Sequence, residues 1–208
     1  MEASLRAVQR HFVAINDRLS ARRDPIDDRV IENLLAGYAF VDALAAEDVD
    51  VFAMGNLKHL LELNTLVLCG TSPVRRRAYR RHIDATAQRF YEERDGGIRD
   101  LVEWAERLAT RSAWRRAAGL YVRILSKPQL FIEGNHRTGA LIMSYLLLRE
   151  GEPPFVLSVA NAAAYFAPSS VIRETHKHGV GMMVRVPFVR RRLAALLRAS
   201  AERRYLVS

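Results

Sequence analysis

The sequence has a single cysteine, Cys69, in 208 residues. An intrachain disulfide framework and a multi-cysteine metal site are therefore both excluded. Cys69 follows Leu66-Val67-Leu68 and reads as a small core residue. No apolar run reaches the length of a membrane span. The N-terminal stretch Met1-Glu2-Ala3-Ser4-Leu5-Arg6 lacks the continuous apolar segment of a signal peptide. The expected location is cytoplasmic; an effector exported by a signal-independent route has the same features. Glycine (11) and proline (7) are sparse, and no low-complexity linker or internal repeat divides the chain. Aromatic residues make up 8% and are little interleaved with the basic ones, and zinc-finger spacing and RNA-binding signatures are missing. These absences argue against nucleic acid as the principal partner.

What is present is an ordinary globular composition, 50% hydrophobic and 26% charged, with a net charge of +9. A chain of this size buries roughly 70% of its unfolded surface without staples. The length points to one domain, residues 1–208. The positive excess lies largely in arginine clusters: Arg75, Arg76, Arg77, Arg80 and Arg81, then Arg190, Arg191 and Arg192, then Arg203 and Arg204. Solvated helix faces account for such clusters; attraction to phosphorylated ligands is the other use.

Apolar spacing is helical almost throughout. Leu5, Val8, Phe12, Ile15 and Leu19 mark one helix over 3–20. A second follows Asp27 or Asp28 as cap, and a third spans 56–68, with a turn or short strand at 48–52 between them. Gly70-Thr71-Ser72-Pro73 stops the third and starts a basic helix over 73–93. Further helices are expected over 98–108, 112–126 and 137–149, then near 158–166, 168–178 and 188–204. The 137–149 segment carries apolar residues on most sides and is expected to be central. The expected class is all-α, a helical bundle around a central buried helix, with at most a small β-hairpin flap. That flap is expected between Val67 and Pro73 or at the turn near Gly96.

The segment Lys127-Pro128-Gln129-Leu130-Phe131-Ile132-Glu133-Gly134-Asn135-His136-Arg137-Thr138-Gly139-Ala140 delivers a Gly-Asn turn into a helix start. Free backbone N–H groups and the positive helix end suit an anion there. Gly134 allows close approach of backbone to a phosphate. Arg137 adds a planar fork of donors, and Glu133 offers a carboxylate to a magnesium ion on bound phosphates. An ordinary helix start, capped by Asn135 with Arg137 solvated, uses the same residues.

The string resembles the motif of the Fic (Fido) family, H-P-F-x-[D/E]-G-N-[G/K]-R-x-x-R, through Phe131, Glu133, Gly134, Asn135 and Arg137. Phe90, the run Gly96-Gly97-Ile98-Arg99-Asp100-Leu101, Trp104 and the helix ending at Gly151 are similar to the family's context. The resemblance covers about residues 80–157. It implies a Fic-type domain that transfers AMP from ATP to a hydroxyl side chain of a target protein; relatives transfer UMP, phosphocholine or phosphate. By the same resemblance Glu133 would take Mg²⁺, and Gly134, Asn135, His136, Arg137, Thr138 and Gly139 would take the nucleotide. The implied partners are a nucleotide and an unknown target protein.

Gln129 stands where the family has its catalytic histidine, and a neutral amide cannot act as a general base near pH 7. Leu130 replaces the motif proline, His136 the usual Gly or Lys, and Ala140 the second arginine. His136 and Lys127 are the neighbouring candidates to compensate. His176-Lys177-His178 reads as an exposed run whose rings diverge. The family's inhibitory string [S/T]-x-x-x-E-[G/N] has its nearest counterpart in Asp28-Arg29-Val30-Ile31-Glu32-Asn33, without the Ser or Thr. The alternative to a transferase is a catalytically inactive module that binds a nucleotide or a protein.

Overall fold

The computed structural model describes residues 1–184 and 186–206. In chain order the helices are α1 (Glu2–Arg10), α2 (Phe12–Asn16), α3 (Asp28–Ala46), α4 (Lys58–Cys69), α5 (Pro73–Ala78), α6 (Arg80–Glu92), α7 (Ile98–Arg107), α8 (Ala113–Leu125), α9 (Asn135–Arg149), α10 (Ala162–Phe166), α11 (Ser169–Glu174), α12 (Val180–Val184) and α13 (Val186–Ala199). Among the described residues the only β pairing is an isolated bridge between Lys127 and His176. The all-α expectation therefore holds. The hairpin flap has no counterpart among the described residues: Val67–Cys69 completes α4, and Gly70 to Ser72 is a turn.

α9 is the centre. Every residue from Thr138 to Leu147 is buried, as expected from its apolar pattern. It packs against α8 on one side and α3 and α4 on others, while α7 and α13 pack on α8. The α3–α9 approach is close at Gly37, where an added Cβ would lie 2.4 Å from Leu141 Cδ1. Ser144, buried midway along α9, has its hydroxyl 2.9 Å from the Ala140 carbonyl and 3.2 Å from the Phe155 carbonyl, so its single proton has an acceptor.

Two helices expected as continuous are each divided. The 3–20 segment breaks at His11 and ends at Asn16, and the 73–93 segment breaks at Tyr79. Both break residues adopt φ near −95° and ψ near 7°, outside helical values, at His11 (−99°, 8°) and Tyr79 (−92°, 6°). No glycine or proline marks either place. On either side of the first break, Leu5 and Val8 of α1 and Phe12 and Ile15 of α2 are buried in the same core. Asp27, not Asp28, caps α3, accepting from the Val30 N–H at 2.7 Å, while Asp28 pairs with Arg6 at 2.6 Å. Residues 48–52 form a turn, held by Tyr145 Oη, which takes the Val51 N–H and donates to the Val49 carbonyl.

Toward the C-terminus the helices are shorter than the periodicity suggests, and α12 has no counterpart in the expected set. Residues 175–177 are extended because they pair with the loop at Lys127: Lys127 N–H donates to the Thr175 carbonyl at 2.9 Å, and Lys177 N–H to the Lys127 carbonyl at 2.8 Å. The expected exposed run is thus corrected at Lys177, whose side chain is fully buried. Its ammonium donates to the Gly96 carbonyl at 3.0 Å and lies 3.6 Å from Asp100. Asp100 is also gripped at both oxygens by buried Arg123, whose Nη1 donates to the Lys177 carbonyl. Burial leads in drawing Lys177 down to about 8.

Candidate functional site

The loop between α8 and α9 is anchored by its apolar residues. Leu130 and Phe131 are buried, and Phe131 stacks on Phe90 of α6 at 5.8 Å. The Leu130 N–H donates to the Ile124 carbonyl. Asn135 does not cap α9. As its first residue it turns back on the loop, Oδ1 accepting from the Phe131 N–H at 2.9 Å and Nδ2 donating to the Phe131 carbonyl at 2.8 Å. The capping position belongs to Gly134 in the left-handed region, φ 75°. A Cβ there would strain the backbone and meet Asn64 Nδ2 at 3.0 Å and Val67 Cγ1 at 3.2 Å. No side chain caps this helix, so its opening N–H groups are left for a ligand or water.

Asn64 is a residue the sequence reading missed. From α4 its amide reaches the Glu133 carbonyl at 2.9 Å and Thr138 Oγ1 at 3.0 Å, tying the loop to the α9 start. An asparagine on the same helix face as Leu60 and Val67 is the signal for it in the sequence. The Glu133 side chain is exposed beside the turn. Among the described residues no group of three His, Cys, Asp or Glu is placed to hold a metal by itself. A magnesium ion at Glu133 would thus share its remaining positions with phosphate oxygens and water, the usual arrangement for that ion.

The other assigned residues fall in two sets. Arg137 points toward α4, donating to the Val67 carbonyl at 3.3 Å, and that carbonyl also accepts from Asn33. Thr138 is fully buried on Asn64, and Gly139 faces Tyr121, where a Cβ would lie 3.0 Å from Cδ2. The His136 ring turns inward: Nδ1 lies 2.9 Å from Tyr121 Oη and Nε2 3.1 Å from Arg23 Nη1. Since a guanidinium only donates, Nε2 accepts, and the neutral ring carries its proton on Nδ1. Burial first, then Arg23, Arg173 and Arg137, push this histidine down to about 3. Held between two partners inside the fold, His136 is not available as a base at the loop.

This histidine carries a pH prediction. Its folded pKa lies below the unfolded 6.5, so between about 6.5 and 3 the unfolded chain binds a proton that the native one refuses. Stability is expected to fall as pH drops through that window, by up to about 1.4 kcal/mol per pH unit. Urea melts of wild type and His136→Asn at pH 7 and 4.5 check this; an unchanged pH slope in the variant would refute it.

Gln129 sits beside Asn135, its Oε1 taking a long 3.4 Å contact from Asn135 Nδ2 while its Nε2 donates to the Leu125 carbonyl at 3.2 Å. Arg89 of α6 donates to the Gln129 carbonyl at 3.0 Å. Lys127, two residues earlier, has an exposed side chain. The loop is thus braced from α6, α4, α9 itself and the 175–177 segment. In the inhibitory-string region Glu32 is exposed on α3, and the position facing it in the family pattern is apolar Ala140.

No family model matches the chain, and no solved structure matches it. Among curated proteins it is 33% identical over 73 residues to the protein adenylyltransferase fic-1 of Caenorhabditis elegans. That match covers 34% of this chain and 14% of the relative. The chain is therefore similar, over part of its length, to a Fic-type adenylyltransferase.

Proposed function

We propose that this chain is a Fic-type nucleotidyltransferase-like domain that binds ATP with Mg²⁺ at the start of α9 and lacks the usual general base. The observation that carries the reading is the Gly134–Arg137 turn. A left-handed glycine, an uncapped helix start, an exposed Glu133 and an Arg137 without a carboxylate partner among the described residues meet in one loop. These features suit a polyphosphate: backbone N–H groups and Arg137 for its charge, Glu133 for its metal ion. ATP would supply the transferable nucleotidyl group and the target protein a hydroxyl. The residues of this chain would hold and orient the phosphates, which accelerates transfer through positioning and electrostatics even without a base.

A second reading is a Fic-like module that binds nucleotide or a protein without chemistry. What favours it is the tethered amide at Gln129, which has donor and acceptor contacts but no proton affinity.

Calorimetry with a nucleotide panel tests both. Micromolar ATP binding is expected in Mg²⁺, weakened about tenfold by Glu133→Gln, the size of one charge-assisted contact. Little change is expected for that variant without the metal. If no nucleotide binds, the phosphate reading is wrong. If ATP binds and no acceptor is modified by wild type, the module reading gains.

A further inference from the structure

His136, Arg137 and Ala140 form one wall of a cavity of about 230 Å³ on the N-terminal side of the molecule. Its other walls come from α1 to α3, the 23–26 segment and residues 155–166. Most of the lining is apolar, with Phe12, Leu34, Phe155, Leu157 and Phe166 among it. The polar end is made by Arg23 and Arg137.

Neither arginine belongs to an ion pair among the described residues. Asp24 also lines the cavity, but it is exposed and pairs with neither. Arg23 reaches in from the loop before α3. Its Nη1 meets His136, its Nη2 donates to Ser169 Oγ, and its guanidinium lies over the Phe166 ring at 5.7 Å. Its Nε is buried without a partner. Arg137 makes one long contact, to the Val67 carbonyl. A guanidinium has five N–H donors, so both retain unused ones.

Partly buried positive charge without a direct ion pair is costly: Asp24, Asp27 and Glu133 act on these arginines only at a distance, and His136 contributes no negative charge. The fork of a guanidinium matches a carboxylate, and a singly charged head loses less hydration than a phosphate on entering a largely apolar space. The volume lies just below the range of cavities that hold drug-sized ligands. From these features we infer that the cavity is a binding site for a small amphipathic carboxylate, its head on Arg23 and Arg137 and its hydrocarbon on Phe12, Leu34 and Phe155. The site shares Arg137 with the phosphate reading of the loop but takes Arg23 and the apolar lining as its own, and its test uses no nucleotide.

The test is calorimetry of the full chain with straight-chain carboxylates from butanoate to octanoate, beside octan-1-ol and inorganic phosphate. Affinity is expected to rise about fourfold per added methylene until the cavity is full. Octanol and phosphate are each expected to bind at least about tenfold more weakly than octanoate, the cost of losing a charge-assisted contact or the hydrocarbon. Arg23→Gln should weaken octanoate about tenfold. Ala140→Met, which fills the cavity from α9 and leaves both arginines in place, should abolish its binding. Thermal melts establish that each variant folds; if Arg23→Gln does not, Ala140→Met decides alone. Equal binding of octanoate and octanol, phosphate binding as tight as octanoate, or octanoate binding unchanged in Ala140→Met would each overturn the proposal.

Discussion

Replacing Gln129 by histidine is expected to raise nucleotidyl transfer by roughly 10²–10⁴-fold, the usual worth of a general base. The position is prepared for it. The Gln129 side chain is tied back to Leu125, the last residue of α8, and adjoins the Asn135 brace. The loop around it is held by Phe131 on Phe90 and by Arg89 on the Gln129 carbonyl. An imidazole there enters a backbone already fixed, so the change adds proton affinity without asking the loop to reorganise. The measurement is transfer of labelled AMP from ATP to any acceptor, self-modification included, by wild type and Gln129→His at equal concentration. Wild type is expected at or near background. A rise in the variant that disappears when Glu133 is also replaced by Gln supports the phosphate loop as its partner. A variant that binds ATP as wild type does and transfers nothing would show that more than the base is missing, and Ala140 is then the next position to change.

Asp100→Ala is expected to destabilise the fold by about 3–5 kcal/mol, the cost of stranding buried charge. Asp100 stands between two buried cations, Arg123 and Lys177, with His178 at 3.8 Å. Removing the carboxylate leaves both without a counterion, and the apolar surroundings supply none. For a chain of this size the melting temperature should fall by roughly 10 °C. Burial alone would raise the Asp100 carboxyl, but Arg123 and Lys177 outweigh it and hold the group below its ordinary 3.8. The native pKa is depressed, so this stabilisation is present above the unfolded pKa and is lost as pH falls through the folded one. The wild-type minus Asp100→Ala difference should therefore shrink below about pH 4. Differential scanning calorimetry across pH 3–7 reads both effects; a variant within about 0.5 kcal/mol of wild type at pH 7, the ordinary range of surface changes, would refute the account. The cluster also has a consequence for the loop. Lys177 donates its backbone N–H to the Lys127 carbonyl, so loosening the cluster loosens the approach to Gln129.

Local pattern determined much of this protein. Apolar residues at three- and four-residue spacing specify helices over most of the chain, and a 137–149 segment apolar on most sides has no stable place except the centre. Cys69 lies in the core because its neighbours do. The anion-suited loop is legible for the same reason: Gly-Asn followed by a helix start is a local backbone feature, written in consecutive residues.

What only the tertiary structure decided depends on residues distant in sequence. The breaks at His11 and Tyr79 carry no glycine or proline, and no local signal in the sequence marks them. The extended 175–177 segment exists because Lys127, nearly fifty positions earlier, offers its backbone groups. Lys177 in an apparent basic run is buried because Asp100 and Gly96 wait for its ammonium. Nothing adjacent to His136 indicates that its ring turns inward; Tyr121 and Arg23, from two other parts of the chain, take its nitrogens. Asn64 and Arg23 became visible as site residues by the same route. Side-chain direction on a helix follows from spacing, but the partner that satisfies a buried polar group is chosen by packing.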